Sequence, residues 1–388
     1  MEQLMLHKER LLKSIEIVNK YAIDGNEIDP EEIKLKVNVI DNSNSSSNNN
    51  NDNNNDNNDN NDNNDNNELE DLYFFWNLIW WSTPYERSCG RRIRLLLWDT
   101  THNAPFGLIN LQSPTLNLSA VKRYLCLSDK GKEGRASTAY WLNHSMYAQR
   151  VGALPPYNEL LGSKMVALTL ASQELREIYE RKYDGSRSRR SSGSNSSNSS
   201  SSEPISKLLF ITTTGAYGKS SVYERLKIRL PNSSNSNSNS SNNSSNNNWQ
   251  VCKFIGYTSG FGTSHISEEF YKTIKELLRE NGINAKTGLQ YGSSRKLRLL
   301  CRASKLLGLQ DITYHGIKRA VYIFEHVHNL YGVIHNGERP SWINFIFSSL
   351  EEYWKTRWCI PRSERNKIWQ YASSRDVIKS VYRELASN

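Results

Sequence analysis

Cysteine is scarce in this chain and badly placed for cross-linking. The five residues, Cys89, Cys126, Cys252, Cys301 and Cys359, lie far apart and form no C-x-x-C pair. That argues against a disulfide framework and a structural zinc site, and for reduced, mostly buried thiols in an intracellular protein, nuclear or cytoplasmic. Long apolar runs are missing too. Leu4 to Leu12 is broken by His7, Lys8, Glu9 and Arg10, so no signal core is expected there. Leu72 to Trp81 is very apolar but too short to span a bilayer, so it reads as buried core and no membrane role is expected. The chain has no paired-carboxylate motif, no nucleophile elbow and no His cluster at metal spacing, so no metal and no cofactor are implied.

Acidic residues are in deficit. The formal net charge is +9 and the pI about 9.1. An acidic run near residue 60 lowers that total, so the foldable remainder is more basic still. Such a balance favours a polyanionic partner, nucleic acid foremost, although basic solvated faces without a partner are common.

Three stretches cannot bury enough apolar surface to offset their ordering entropy: 41–67 (Asn, Asp and Ser), 186–202 (Ser and Asn with a short Arg run) and 232–248 (Ser and Asn). Roughly 320 residues remain, enough for one large core or two modest ones. The expected organisation is an N-terminal helical segment at 1–40, a linker at 41–67, an α/β core at 69–265 carrying the two later inserts, and a basic helical region at 266–388.

Within the core, Arg92 to Asp99 and Pro105 to Leu111 read as a hairpin around a turn at Thr100 to Ala104. A helical stretch is expected at Tyr140 to Tyr147, one helix at Gly162 to Tyr183, and strands at Lys207 to Ile211 and Trp249 to Tyr257. Asp29-Pro30-Glu31-Glu32 reads as a short helix start.

Four constellations are candidates for function. The first is the bend at Pro155-Pro156. A double proline cannot sit inside a helix, and the helix that opens after it presents free amides. Tyr157, Asn158, Gly162 and Lys164 are therefore candidate phosphate or ligand contacts. The same residues read equally as a tight strand-to-helix corner. The second is Thr212 to Arg225. It lacks the first glycine of a phosphate loop, because Thr213 stands there. Thr214, Lys219 and Ser220 still gather polar groups at a strand's C-terminal end, where open α/β sheets place ligands. The third is the loop Gly256 to His265, in which Thr258 and His265 are candidate contacts and His265 a candidate general base. The fourth is a basic stripe: Arg295, Arg298, Arg302 and Lys305 share one sector of a helix, with Leu300, Ala303 and Leu307 opposite. It suits a phosphate backbone, or is a solvated face. A turn at Gly308 to Asp311 and a helix from His315 to His326 would faintly match helix-turn-helix spacing.

Several long segments resemble the Druantia anti-phage protein A family (DruA-like). They are Arg91-Arg92-Ile93-Arg94, Gly107 to Pro114, Ala148 to Asn158, Thr212 to Gly215 and Gly218 to Tyr223, with the Gly256 to Gly262 loop and the Trp354 to Arg362 segment in the same order. The resemblance covers nearly everything outside the three inserts. It implies a DNA-linked defence or mobile-element ancestry and carries no specific reaction. The Asn/Ser inserts depart from the compact bacterial form.

The order of hairpin, central strand, bend, helix, strand, helix, strand also resembles the N-acetyltransferase fold. There the bend binds a coenzyme A pyrophosphate with a [QR]-x-x-G-x-[GA] pattern. Glu159 to Lys164 differs from it at the first and last positions. The expectation is an α+β protein: a mixed β-sheet with flanking helices and a helical C-terminal region. Its leading function is nucleic-acid association. The alternatives are an acyltransferase-like enzyme binding coenzyme A at Tyr157 to Lys164, and a scaffold that binds a protein through the tryptophan-rich tail.

Overall fold

The computed structural model describes residues 5–40, 59–81, 90–115, 118–127, 140–183, 207–229, 248–263, 266–283 and 295–387, with the backbone alone at 59–66, 229, 248 and 295. The inserts at 186–202 and 232–247 lie outside the described residues, as does most of 41–67.

Seven strands form the main sheet: β1 (Leu35–Val39), β2 (Arg92–Asp99), β3 (Ala104–Gln112), β4 (Ser145–Ala153), β5 (Phe210–Thr214), β8 (Lys253–Tyr257) and β9 (Ala320–Glu325). Their order is β1-β2-β3-β4-β5-β9-β8. Every neighbouring pair is antiparallel except β4 and β5. Two short strands, β6 (Lys227–Arg229) and β7 (Asn248–Gln250), pair as a separate ribbon. This is the expected α+β architecture.

Helices cover both faces. On one lie α4 (Gly162–Thr169), α5 (Gln173–Tyr183) and α9 (Phe347–Trp354), packed on Leu95, Leu97, Ile109, Met146 and Phe324. On the other, α1 (Lys8–Lys20), α2 (Asp59–Ile79) and α11 (Ser374–Ala386) cover Leu96, Trp98 and Leu108. Two short helices, α3 (Ser119–Tyr124) and α8 (Leu330–Asn336), cover Phe210, Val321 and Ile323 beyond them. A sheet buried on both sides needs no polar alternation. That is why Leu95-Leu96-Leu97-Trp98 is apolar throughout and all four are buried. Leu72, Tyr73, Phe75 and Trp76 on α2 are core, as the apolar run suggested.

The chain ends meet. Ile23 and Ser374 are joined by three hydrogen bonds, and Arg375 pairs with Asp24 and Glu27. The sheet also takes β1 from the N-terminal segment and β9 from the C-terminal region, so a boundary at 265 cuts through one sheet.

Several local expectations change. Asp29 to Glu32 is a turn leading into β1, and α2 begins inside the Asn/Asp run at Asp59. Only 140–143 of the Tyr140 to Tyr147 stretch is helical, because β4 starts at Ser145. The helix expected at Gly162 to Tyr183 is two helices, broken at Leu170–Ser172. The Lys207 to Ile211 strand shifts to Phe210–Thr214, and Trp249 to Tyr257 divides between two sheets. His315 to His326 is not a helix. Its Val321-Tyr322-Ile323-Phe324 run is β-branched and aromatic, fully buried, and forms β9 between β5 and β8. That removes the helix-turn-helix reading.

Two further helices, α6 (Glu268–Glu280) and α7 (Arg295–Leu306), pack on each other through Ile274, Leu278, Leu299, Leu300 and Ala303. They are inserted between β8 and β9. Beyond the sheet these two strands continue as a stalk: Gly262 donates to Thr313, and the amides of His315 and Gly316 both donate to the Gly260 carbonyl. Gly260 has φ +80 and a Cβ there would lie 3.2 Å from the Gly316 backbone, so the stalk requires glycine.

Candidate functional site

The bend after β4 is packed, not open. Tyr157 and Leu160 are fully buried, and Tyr157 leans on Phe106 at 4.8 Å between ring centroids. A Cβ on Gly162 would lie 2.6 Å from the Tyr157 carbonyl and 3.0 Å from the Phe106 ring. The amides of Asn158, Glu159, Leu161 and Lys164 already bond to the carbonyls of Leu154, Pro156, Asn158 and Leu161. The Glu159 carbonyl accepts from Arg362, and the Leu161 carbonyl accepts from Trp354 as well. Asn158 bonds to Glu159. Distant tryptophan and arginine side chains therefore pack against the corner where an anion cradle was expected at Tyr157, Asn158 and Gly162.

Tyr157 is tied instead to a network that no local motif signals. Its hydroxyl donates to buried Asp99 at 2.9 Å. Burial, reinforced by that carboxylate, raises the hydroxyl far above the ordinary tyrosine range, so it stays a donor. Asp99 also accepts from the Thr101 amide at 3.1 Å, and from His102, whose Nδ1 lies 2.7 Å away. The Asp29 amide donates to Nε2, which fixes the neutral His102 tautomer. Asp99→Asn replaces one acceptor oxygen with a donor amide that faces donors. It is expected to cost about 2 kcal/mol in urea unfolding, with an unchanged free energy contradicting the network.

The two strand ends do meet. Lys164 reaches across β5 to the carbonyls of Ser221 and Glu224, at 2.6 and 3.0 Å, and lies over the Trp358 ring. Burial, with Arg225 adding to it, holds the Lys164 ammonium below the usual lysine range. It ties the corner together. Thr214 bonds to the Tyr147 hydroxyl at 2.7 Å. The Ser220 amide donates to the Tyr322 hydroxyl, which donates in turn to Glu224. Lys219 alone of this group is exposed, with its ammonium 5.0 Å from the Phe254 ring centre.

Thr258 exchanges hydrogen bonds with Arg319 across the root of the stalk. Its role is to join β8 to β9. His265 lies outside the described residues.

The basic stripe survives best. Arg302 and Lys305 are exposed on α7 and Arg298 half-exposed, while Leu299, Leu300 and Ala303 face α6. Leu307, expected on the apolar side, is exposed because α7 ends at Leu306. Arg295 begins the helix, with only its backbone described. Lys296 is spent on Glu268 and the Ile266 carbonyl.

The tryptophan-rich tail is core. Trp354 is fully buried, and Trp369 is nearly so. Trp358 lies under Lys164. The sequence reading also missed a set of exposed rings at the β8 end of the sheet: Phe254, Tyr257, Phe261 and Tyr314. No local pattern signalled them, because their grouping depends on a bulge at Ile255 and their exposure on β8 being an edge strand. Among the described residues no group of three or more His, Cys, Asp or Glu side chains could hold a metal ion, and no helix is long and apolar enough to cross a membrane.

The family model described as Druantia protein DruA matches residues 59–336. Druantia protein DruA of Escherichia coli (strain UMEA 4076-1) is 30% identical over 306 residues, which is 78% of this chain and 68% of that protein. The chain belongs to the Druantia DruA family. No solved structure matches it. The span shared with the DruA family model runs from α2 to α8. It therefore includes the packed bend, the Lys164 corner, the β8 edge, the stalk and the α6–α7 hairpin. Trp354 on α9 and Arg362, which reach the bend, follow it in the chain.

Proposed function

We propose that this DruA-family chain is a nucleic-acid-associated protein of anti-phage defence or mobile-element ancestry, and that it contacts the phosphate backbone through α7. One observation carries the reading. The α6–α7 hairpin is held away from the sheet on a glycine-dependent stalk, with Arg298, Arg302 and Lys305 along one side of α7 and its apolar side packed on α6. A basic helix presented in this way can follow a phosphate backbone without unfolding anything. The net charge of +9 supports the same reading. The coenzyme A reading is less supported, because the bend at Gly162 is closely packed against Tyr157, Ala153 and Phe106.

The test is a salt titration of binding to a duplex oligonucleotide. Replacing Arg298, Arg302 and Lys305 together by glutamine is expected to flatten the log–log slope by about 2 to 3, roughly 0.9 per lost phosphate contact. These side chains lie on the outer side of the hairpin, so the thermal midpoint should move little. An unchanged slope in a folded triple variant removes α7 from the interface.

A further inference from the structure

Scattered surface rings are ordinary, and Tyr331, Tyr371 and Tyr382 are examples elsewhere on this surface. The β8 end of the sheet is different, because its rings are gathered. Phe254 is 39% exposed and Tyr257 41%, with ring centroids 5.1 Å apart. Further along the same chain, Phe261 is 50% exposed and Tyr314 54%, with centroids 4.9 Å apart across the stalk.

We propose that the edge of the sheet at β8, with the stalk that continues it, is a stacking ledge for single-stranded nucleic acid. This rests on the nucleic-acid reading above and adds a second contact of different chemistry.

Three observations support that occupant. First, among the described residues β8 is an edge strand with β9 as its one neighbour in the sheet, so its rings are presented at a sheet edge. A bulge at Ile255 brings Phe254 and Tyr257, three residues apart, to the same face. Second, the exposed charge around the rings is mostly positive, with Glu224, which accepts from Tyr322, and Asp311, which accepts from Thr313, as the nearby carboxylates. Lys219 lies over Phe254. Lys318 is exposed on the stalk. Neither β8 nor the stalk legs 258–263 and 313–319 contain an Asp or Glu. Glu325, which lies near β8, is neutralised by Lys253 and also accepts from Tyr124. Third, paired rings flanked by cations match what unpaired bases offer, a π-face and a phosphate per nucleotide. Stacked base pairs in a duplex leave no face for such rings to cover. An acidic protein partner would satisfy the cations but would not need two separate ring pairs.

The experiment measures binding of the full chain to a fluorescein-labelled oligothymidine and to a labelled mixed-sequence duplex. Phe254→Leu with Tyr257→Leu keeps apolar bulk against Tyr322 but removes both rings. Oligothymidine affinity is expected to fall about 100-fold, roughly tenfold per ring. Duplex affinity should change less than twofold, and the salt slope should persist because no cation was removed. Phe254→Trp with Tyr257→Trp keeps two π-faces and should bind oligothymidine within a few-fold of the parent. A second pair, Phe261→Ala with Tyr314→Ala, tests the stalk independently and is expected to weaken oligothymidine alone. Oligothymidine affinity unchanged in both ring-removed variants, or an equal loss on duplex, overturns the ledge and leaves the α7 reading standing. If the unsubstituted chain binds neither probe, the nucleic-acid reading fails and the ledge fails with it.

Discussion

Replacing Trp354 by alanine is expected to destabilise the fold by about 4 kcal/mol, the cost of removing a large buried aromatic side chain and leaving a cavity. Trp354 is fully buried at the end of α9. Its ring meets Phe106 edge-on at 5.3 Å, and its Nε1 donates to the Leu161 carbonyl at 3.1 Å. Leu161 has φ 58 and ψ 29, a left-handed conformation that is uncommon without glycine. The tryptophan therefore fills the space behind the bend and also satisfies the carbonyl of the residue that turns it. Trp354→Phe keeps most of the contact area and loses only the donor, so it should cost roughly half as much. Both are read from the urea midpoint at constant slope. A loss below about 1 kcal/mol for Trp354→Ala would mean that the corner is not held from α9.

The fold is also expected to weaken on mild acidification, through His326. This residue is fully buried at the end of β9. Burial, with Arg176 close by, depresses its pKa to about 3, and a contact with the Leu170 backbone only partly opposes this. Above pH 6.5, the ordinary histidine value, neither the folded nor the unfolded chain holds a proton here and the group contributes no pH dependence. As pH falls from 6.5 towards 3, the unfolded chain binds a proton that the folded one refuses. Stability is then lost at up to about 1.4 kcal/mol per pH unit. Carboxylates act in a lower window. Arg375, by its hydrogen bond, holds the Glu27 carboxyl below its usual 4.5, so that contribution is lost only as pH falls below that value. Glu351 is the exception, since burial raises its carboxyl above the usual 4.5 and its effect has the opposite sign, so the histidine's share between pH 7 and 5 is read by substitution. His326→Leu should remove most of the slope in that range, and an identical slope in the variant would mean that another group carries it.

How far the sequence could be read depended on how local each cause was. The β2–β3 hairpin is local, with two apolar runs around Thr100 to Asn103 and Asn103 at positive φ in the turn. The bend at Pro155-Pro156 is local as well, and it was found. Its burial was not legible, because Trp354 and Arg362 lie about 200 residues further along the chain. The two faces of α7 followed from helical period alone, up to the one residue past its end. β1 and β9 were missed for a shared reason. Each is a short strand whose partners are remote, and β9 sits between β5 and β8 only because the α6–α7 hairpin loops out and returns. The exposed rings on β8 belong with these, since nothing in Lys253 to Tyr257 says which strand closes the sheet.

The central claim, that this surface meets a polyanion, is tested most directly by measuring equilibrium binding of the unsubstituted chain to a labelled oligonucleotide across a salt series. The affinity should fall linearly on log–log axes with a slope of at least about −2, set by the phosphates that α7 neutralises. A flat dependence, or no binding at the lowest salt, would contradict it.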